Sequence, residues 1–259
     1  MLEKIEIQHI IDLAKIAGEA ILKIYQQDFS VEKKADNSPL TLADKTSNDI
    51  ITQGLQEFYP EIPVISEESK QVPYANRKEW KYLWMVDPLD GTKEFINKNG
   101  EFTVNIALIH EGVPELGVVY IPATGVTYYA VMGKGTFMIS QSEITIRLND
   151  KREHYSQKSK VKVVASRSHL SDEVKEFIEN LKQQGKEVDF ISAGSSLKFC
   201  LVAEGQADVY PRFGPTMEWD TAAAHIVATE AGLQVLNANT RQPLIYNKED
   251  LLNPWFIVE

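Results

Sequence analysis

An apolar run that stops abruptly on two acids constrains this chain more than any other feature. Residues 81–86 read as a buried strand, with Trp84-Met85-Val86 running straight into Asp87-Pro88-Leu89-Asp90-Gly91-Thr92. Pro88 fixes one backbone dihedral and Gly91 frees another. Together they predict a sharp turn at a strand end, where the carboxylates of Asp87 and Asp90 converge and the Leu89 carbonyl turns toward the same point. A plain surface turn competes with this reading, because Asp, Pro and Gly are the usual turn formers. Taken alone, the segment leaves the two even.

The surrounding sequence supplies a scaffold. Residues 5–26 place Ile7, Ile10, Ile11, Ala14, Ala17, Ile21 and Ile24 at helical spacing, which predicts a long amphipathic helix. Residues 29–34 read as a short strand, followed by a polar turn at Asp36-Asn37-Ser38. A second helix is expected over residues 42–58, ending near Tyr59-Pro60. Short strands are expected at 63–65, 81–86, 102–109, 115–120, 125–132 and 136–139, separated by Gly and Pro turns. Residues 147–160, with Arg147, Lys151, Arg152, Lys158 and Lys160, are polar and read as a solvated linker. They divide the chain into an N-terminal region, residues 1–150, and a C-terminal region, residues 151–259. In the second region strands at 161–165, 188–191, 207–210 and 233–236 alternate with helices at 171–184, 195–203 and 221–231. This alternation predicts layers of sheet and helix, α+β and α/β in character, with a site in the cleft between the two regions.

Composition narrows the function classes. The 259 residues carry a formal net charge of −10, which disfavours binding to long nucleic acid but not to one small phosphorylated metabolite. No apolar stretch is long enough to span a bilayer, and the N-terminus lacks the basic-then-apolar pattern of a secretory signal. The one cysteine, Cys200, lies in an apolar helical pattern and reads as a core filler rather than a nucleophile. A cytoplasmic location is the simplest expectation.

Further acids bear on the Asp87–Asp90 pair. Glu67 follows a short strand in Ile65-Ser66-Glu67-Glu68-Ser69, and Asp220 precedes the 221–231 helix, where it is also a natural N-cap. Glu68 reads as an exposed acid. Two like charges about 4 Å apart repel by roughly 4 kcal/mol at an effective dielectric near 20, so convergent carboxylates must take up protons or bind a cation. Oxygen ligands without Cys or His select Mg²⁺ or Mn²⁺ over Zn²⁺. Two metals bridged by one carboxylate suit activation of a water and stabilisation of the leaving oxygen in an in-line displacement.

In this order, Ser66-Glu67-Glu68-Ser69, Asp87-Pro88-Leu89-Asp90-Gly91-Thr92 and the distant Trp219-Asp220 resemble the inositol monophosphatase superfamily of lithium-sensitive, Mg²⁺-dependent phosphatases. The resemblance runs from Thr41 to about Leu236. It implies a layered αβαβα sandwich like that of fructose-bisphosphatases, with two or three Mg²⁺ ions, Mn²⁺ as a substitute and Li⁺ as an inhibitor. It implies metal ligation by Glu67, Asp87, the Leu89 carbonyl, Asp90 and Asp220, and orientation or deprotonation of the attacking water by Asp44 and Thr92. Thr41-Leu42-Ala43-Asp44 matches the family's Thr-x-x-Asp; by spacing alone Asp44 passes as an ordinary helix residue. The same resemblance places Glu67, Leu89, Asp90, Gly91, Thr92 and Asp220 against the substrate.

Within the superfamily the chain is most similar to the 3′(2′),5′-bisphosphate nucleotidase branch, which converts adenosine 3′,5′-bisphosphate to AMP and phosphate. Gly194-Ser195-Ser196-Leu197-Lys198 resembles that branch's substrate segment. Gly194 and Ser195 are expected to open a helix whose free N–H groups favour an anion, with Lys198 one turn in; a simple cap and a solvated lysine is the competing reading. Arg212 stands where an inositol-specific enzyme has an acid, and an arginine suits a second phosphate. His169 matches a nucleotide-contacting position. The rivals are an inositol or other sugar phosphatase and a regulatory protein that binds metal or nucleotide without turnover; the presence of both Asp44 and Thr92 disfavours the latter. Members of the branch are sometimes placed at the inner face of the membrane, but no apolar anchor or basic amphipathic helix supports that here. The sequence leaves monomer and homodimer open.

Overall fold

The computed structural model describes residues 1–26, 31–33, 39–148, 153–166 and 171–259, with only the backbone described for 31–33 and 39–41. In chain order the elements are α1 (Ile7–Tyr25), β1 (Val31–Lys33), β2 (Pro39–Thr41), α2 (Leu42–Phe58), β3 (Val64–Ser66), α3 (Tyr74–Arg77), β4 (Tyr82–Asp90) and α4 (Thr92–Ile96). There follow β5 (Thr103–His110), β6 (Val113–Ile121), β7 (Val126–Val131), β8 (Gly135–Ile139) and β9 (Thr145–Leu148). The chain closes with β10 (Lys160–Ala165), α5 (Asp172–Gln183), β11 (Glu187–Ser192), α6 (Leu197–Glu204), β12 (Tyr210–Arg212), α7 (Ala222–Glu230), β13 (Val235–Asn237) and β14 (Phe256–Val258).

β3 through β9 form one seven-stranded sheet in sequence order, antiparallel except for the parallel β3–β4 pair. Its central strands are covered on both faces, which is why their sequences are almost continuously apolar. Alternate residues serve opposite layers. Trp84, Val86, Val104, Ile106 and Leu108 pack under α1 and α2 with Ile10, Ala14, Ile51 and Leu55. Leu83, Met85, Ala107, Ile109 and Val119 pack against Phe199 of α6 and Ala223, Ile226 and Val227 of α7. Burying each of the larger side chains contributes roughly 1.5–3 kcal/mol.

Beyond α6 and α7 lies the second sheet layer. β10 pairs in parallel with β11, and β14 pairs antiparallel with both β12 and β13. A parallel bridge from Val163 to Val209 joins the two groups. α5 covers the far side through Leu181 and Phe177, against Val161, Val163 and Ile257. The layers therefore run α, β, α, β, α, the sandwich expected from the resemblance.

Several local expectations need correction. β4 does not end at Val86: it continues to Asp90, with its pairing to β5 broken between Asp87 and Asp90. The two acids thus sit on a bulged strand end rather than in a free turn, and bulges re-aim side chains in this way. Part of the supposed linker is strand: Thr145–Leu148 adds an edge strand carrying Arg147, while Lys151 and Arg152 lie outside the described residues. So does the turn at Asp36-Asn37-Ser38. β14 was not foreseen, because Phe256-Ile257-Val258 is too short to show a period. Among the described residues no helix is long and apolar enough to cross a membrane.

Candidate active site

The α2 helix lays Asp44, Ser47 and Asn48 on one buried face. Polar residues at i, i+3 and i+4 share a helix side, and here that side meets the acid-bearing strand ends. Ser47 Oγ donates to the Pro88 carbonyl at 2.7 Å, and Asn48 Oδ1 accepts from Ser66 Oγ at 2.7 Å. One helix thereby ties the Asp87–Asp90 segment to the residue before Glu67. Glu67 is held to the sheet by its own N–H, which donates to the Val86 carbonyl at 3.2 Å.

Asp87 is essentially buried, and its Oδ1 accepts from the Leu89 N–H at 3.1 Å. Removal from water pushes its carboxyl well above the usual range, and the charges of Glu67, Asp90, Asp220 and Asp44 push it the same way. Burial also raises Asp90, to about 6, against the opposing pull of the Lys198 ammonium and the Ser196 N–H. That N–H donates to Asp90 Oδ2 at 2.6 Å. Asp220 is raised by burial and then by Asp90 and Glu67. The acids expected to converge are therefore close enough to resist one another's ionisation.

A cap on the following helix was the competing reading of Asp220. The residue instead closes a one-turn 3₁₀ segment, Glu218–Asp220, and its Oδ2 accepts from the Met217 N–H at 2.8 Å. Thr221 takes the cap position of α7 without a side-chain capping bond, its Oγ1 donating instead to the Glu218 carbonyl at 3.2 Å. Thr92 opens α4 behind Gly91, whose φ of 90° only glycine adopts at low cost. Thr92 Oγ1 stands 3.4 Å from Asp44 Oδ2 and 3.5 Å from the Leu89 carbonyl. These are loose contacts of the sort that tighten when substrate arrives.

Across the cleft, Ser195 does not open the helix. It adopts a left-handed φ of 42°, Ser196 takes the cap position, and α6 begins at Leu197. Gly194 is required there: a Cβ would stand 2.7 Å from Glu94 Cγ and 2.8 Å from the Glu101 carbonyl. Lys198 does not face water; it is 5% exposed, and its Nζ donates to the Ser195 carbonyl at 2.5 Å. Burial lowers its ammonium to about 8, with Asp90 opposing the shift and Arg212 adding to it. Arg212 Nη2 donates to the Pro215 carbonyl at 2.9 Å, while its buried Nε finds no hydrogen-bond partner among the described residues. The two cations and Asp90, Gly91, Ser195 and Asp220 share the wall of one cavity of about 140 Å³. A second cavity of about 490 Å³, lined by Glu67, Asp87, Leu89, Asp90, Thr92 and Asp220, adjoins it through Asp90, Gly91 and Asp220. His169 lies outside the described residues.

Sequence reasoning missed several participants. Glu94 lines both cavities but is hidden among charged neighbours. Thr103 and Asn105 of β5 both bond Ser196 Oγ, at 2.8 and 2.9 Å, and so brace the residue that grips Asp90. Their signal was legible: two polar residues at i and i+2 in an otherwise apolar strand. The remaining histidines stand apart. His225 is buried against the Tyr246 hydroxyl at 2.9 Å and His110 pairs with Glu115 at 2.7 Å. Cys200 is buried, and burial pushes its thiol upward, as fits a core residue.

The donor set fits a hard divalent cation. It consists of carboxylates with the Leu89 carbonyl beside them, and among the described residues neither cavity wall contains Cys or His. Among the described residues no group of three or more acids, histidines or cysteines is placed to hold a metal ion by itself.

The layered fold and its acid-lined cleft are joined by a family match: residues 3–255 match the inositol monophosphatase family. The chain belongs to that family. It is 47% identical over 255 residues to the 3′(2′),5′-bisphosphate nucleotidase CysQ of Escherichia coli strain K12, covering 97% of this chain and 98% of that relative. The crystal structure of CysQ from Bacteroides thetaiotaomicron superposes with a TM-score of 0.84 at 49% identity, covering 97% of this chain and 96% of the other. An inositol monophosphatase from Thermotoga maritima shares the fold at a TM-score of 0.75 and 22% identity, over 97% of this chain and 91% of that one.

Proposed function

We propose that this chain is a Mg²⁺-dependent 3′(2′),5′-bisphosphate nucleotidase that converts adenosine 3′,5′-bisphosphate to AMP and phosphate. The observation that carries this reading is the adjacency of two unlike half-sites. A carboxylate cavity around Asp87 opens, through Asp90 and Asp220, onto a smaller one holding the buried cations Lys198 and Arg212. A monophosphate ester needs only the first. A substrate with a second phosphate uses both, and the unpartnered Arg212 Nε supplies a donor for it. The identity to bisphosphate nucleotidases over nearly the full chain supports the same choice.

In this reading Glu67, Asp87, the Leu89 carbonyl, Asp90 and Asp220 hold two or three Mg²⁺ ions, with Mn²⁺ as a substitute. The bound metals supply an acidified water and charge neutralisation at the departing ester oxygen. Thr92 Oγ1 donates toward Asp44 Oδ2, which leaves its lone pairs free to accept from the attacking water. The water proton passes by way of Thr92 to Asp44 as the new P–O bond forms and the ribose ester bond breaks. The ribose oxygen leaves with the bonding pair and takes up, through solvent, the proton that Asp44 received, so it departs as a hydroxyl and no residue becomes phosphorylated. Lys198, Arg212 and Ser195 hold the phosphate that is retained, and His169 contacts the nucleotide. Residues 1–150 thus carry most of the metal ligands and residues 151–259 the substrate contacts together with Asp220. The protein works in the cytoplasm on this one small metabolite, as part of sulfur metabolism.

A substrate panel in Mg²⁺ tests the proposal. Adenosine 3′,5′-bisphosphate should have the highest kcat/KM, well above inositol 1-phosphate; the reverse order would replace nucleotidase with sugar phosphatase. Li⁺ should inhibit at concentrations where Na⁺ does not, by taking one of the Mg²⁺ positions formed by Asp87, Asp90 and Asp220. Equal insensitivity to both ions would remove the chain from the lithium-sensitive group while leaving phosphatase activity possible.

A further inference from the structure

Arg77 is a buried arginine, 3% exposed, at the end of the one-turn helix α3 and outside the catalytic machinery. Its guanidinium spreads over two distant segments. Nε donates to the Val72 carbonyl at 3.1 Å, Nη1 to Asn247 Oδ1 at 2.7 Å and Nη2 to the Glu249 carbonyl at 3.0 Å. Asn247 answers with Nδ2 to the Arg77 carbonyl at 3.0 Å. Asn247 has a left-handed φ of 63°, and its N–H donates to Glu218 Oε2 at 2.5 Å. Glu218 is fully buried, and its Oε1 accepts from Lys248 Nζ at 2.5 Å and from the Lys248 N–H at 3.1 Å.

The two ends of this chain of bonds are the informative part. Glu218 begins the 3₁₀ turn that ends on Asp220. At the other end, Gln71, the residue before Val72, donates through Nε2 to the Ser66 carbonyl at 3.0 Å, beside Glu67. Glu67 follows β3, which pairs only with β4, and Asp220 lies in a turn outside the seven-stranded sheet. No ladder bond fixes one acid relative to the other, and their charges oppose each other. Stability alone is a poor reason for such a network, because desolvating charged groups costs several kcal/mol each and apolar packing often does as well. What the network does supply is a fixed separation.

We propose that Glu218, Asn247 and Arg77 are positioning residues: a buried strut that sets the distance between Glu67 and Asp220 so that both can reach metal. The inference rests on the reading of those two acids as metal ligands. Outer-shell partners of this sort typically change metal affinity by 10–100-fold when removed.

The test uses Mn²⁺ as the probe, titrated into the full chain and followed by the paramagnetic resonance of free Mn²⁺. Two variants are compared with the wild type. Glu218→Gln keeps the shape and removes the charge. Asn247→Gly keeps the left-handed backbone and its N–H but cuts the link to Arg77, so it decides the matter if Glu218→Gln does not fold. Each should weaken Mn²⁺ binding by about tenfold or more and raise the half-saturating Mg²⁺ for turnover by a similar factor. Saturating Mg²⁺ should return kcat to within about twofold, since a strut limits occupancy rather than chemistry. Folded variants with wild-type Mn²⁺ affinity, or a kcat deficit that excess metal does not restore, would overturn the inference while leaving the metal site intact. A wild type that binds no Mn²⁺ would overturn the metal reading itself.

Discussion

The two halves of the cleft are built on opposite plans. The carboxylate half is braced from three elements at once: α2 through Ser47 and Asn48, β5 through Thr103 and Asn105, and the bulged end of β4 itself. The cationic half has fewer supports. Lys198 rests on the Ser195 carbonyl, and Arg212 reaches the Pro215 carbonyl with one nitrogen while another has no partner among the described residues. The difference follows from electrostatics. Like-charged carboxylates must be held against their own repulsion of several kcal/mol, so their positions need many struts. A cation waiting for phosphate needs only to be kept from pairing internally. Geometry for chemistry thus belongs to the first half, and selectivity among phosphate esters to the second.

The sharpest way to break this division is Asp87→Asn. If Asp87 is a shared metal ligand, the variant should lose at least about 4 kcal/mol of transition-state stabilisation, roughly a thousandfold in kcat. The loss should be equal for bisphosphate and monophosphate esters, because neither reacts without this half. Mg²⁺ should also cease to protect the fold: a ligand at a hundred times its Kd stabilises by about 2.7 kcal/mol, visible as a rise in Tm that chelation reverses. A folded Asp87→Asn variant with near-normal turnover at saturating Mg²⁺ would remove the metal assignment.

A smaller and more selective effect should come from the other half. A charge-assisted contact to phosphate contributes roughly 1.5–3 kcal/mol. Lys198→Ala and Arg212→Ala should each lower kcat/KM for adenosine 3′,5′-bisphosphate by about ten- to a hundredfold, with a much smaller loss on inositol 1-phosphate. Equal losses on both esters would show that these cations serve structure or chemistry rather than choice.

The same contrast explains what the sequence revealed. The carboxylate half was legible because its acids punctuate apolar strands: Glu67 after Val64-Ile65-Ser66 and Asp87 after Trp84-Met85-Val86 interrupt runs that only a covered sheet requires. The alternation of strands and helices pointed to layers of sheet and helix, while the order of those layers came from the resemblance. The braces were harder to see. Ser47 and Asn48 look like solvent-facing helix residues until α2 is known to turn that face onto β3 and β4. For Lys198 a solvated position competed with a place in the substrate cleft, and only tertiary packing, which buries it, decides against solvent. The strut from Arg77 to Glu218 joins residues more than 140 positions apart, and no local period records such a pairing. Capping competed with ligation as a reading of Asp220 because its place before α7 permits a cap, yet the 3₁₀ turn offers its carboxylate the Met217 N–H instead.

The smallest effect tests whether the braces belong to the chemical half. Ser47 Oγ and the Pro88 carbonyl are both buried, and their 2.7 Å bond is the direct tie between the helix of Asp44 and the strand of Asp87 and Asp90. Ser47→Ala removes the donor and leaves the carbonyl unsatisfied in the interior, a cost of about 1–3 kcal/mol. The fold should survive with a Tm lower by a few degrees, about 2–4 °C per kcal/mol in a chain of this size. Asp44 and Thr92 would lose their fixed approach, and small misplacements of catalytic groups are expensive. Turnover should therefore fall by roughly three- to tenfold, about 1 kcal/mol, and by the same factor on the bisphosphate and on inositol 1-phosphate. KM for the bisphosphate should stay near its wild-type value, because Lys198 and Arg212 are untouched. A loss confined to the bisphosphate would mean that α2 steers substrate selection, and the division of labour between the two halves would have to be redrawn.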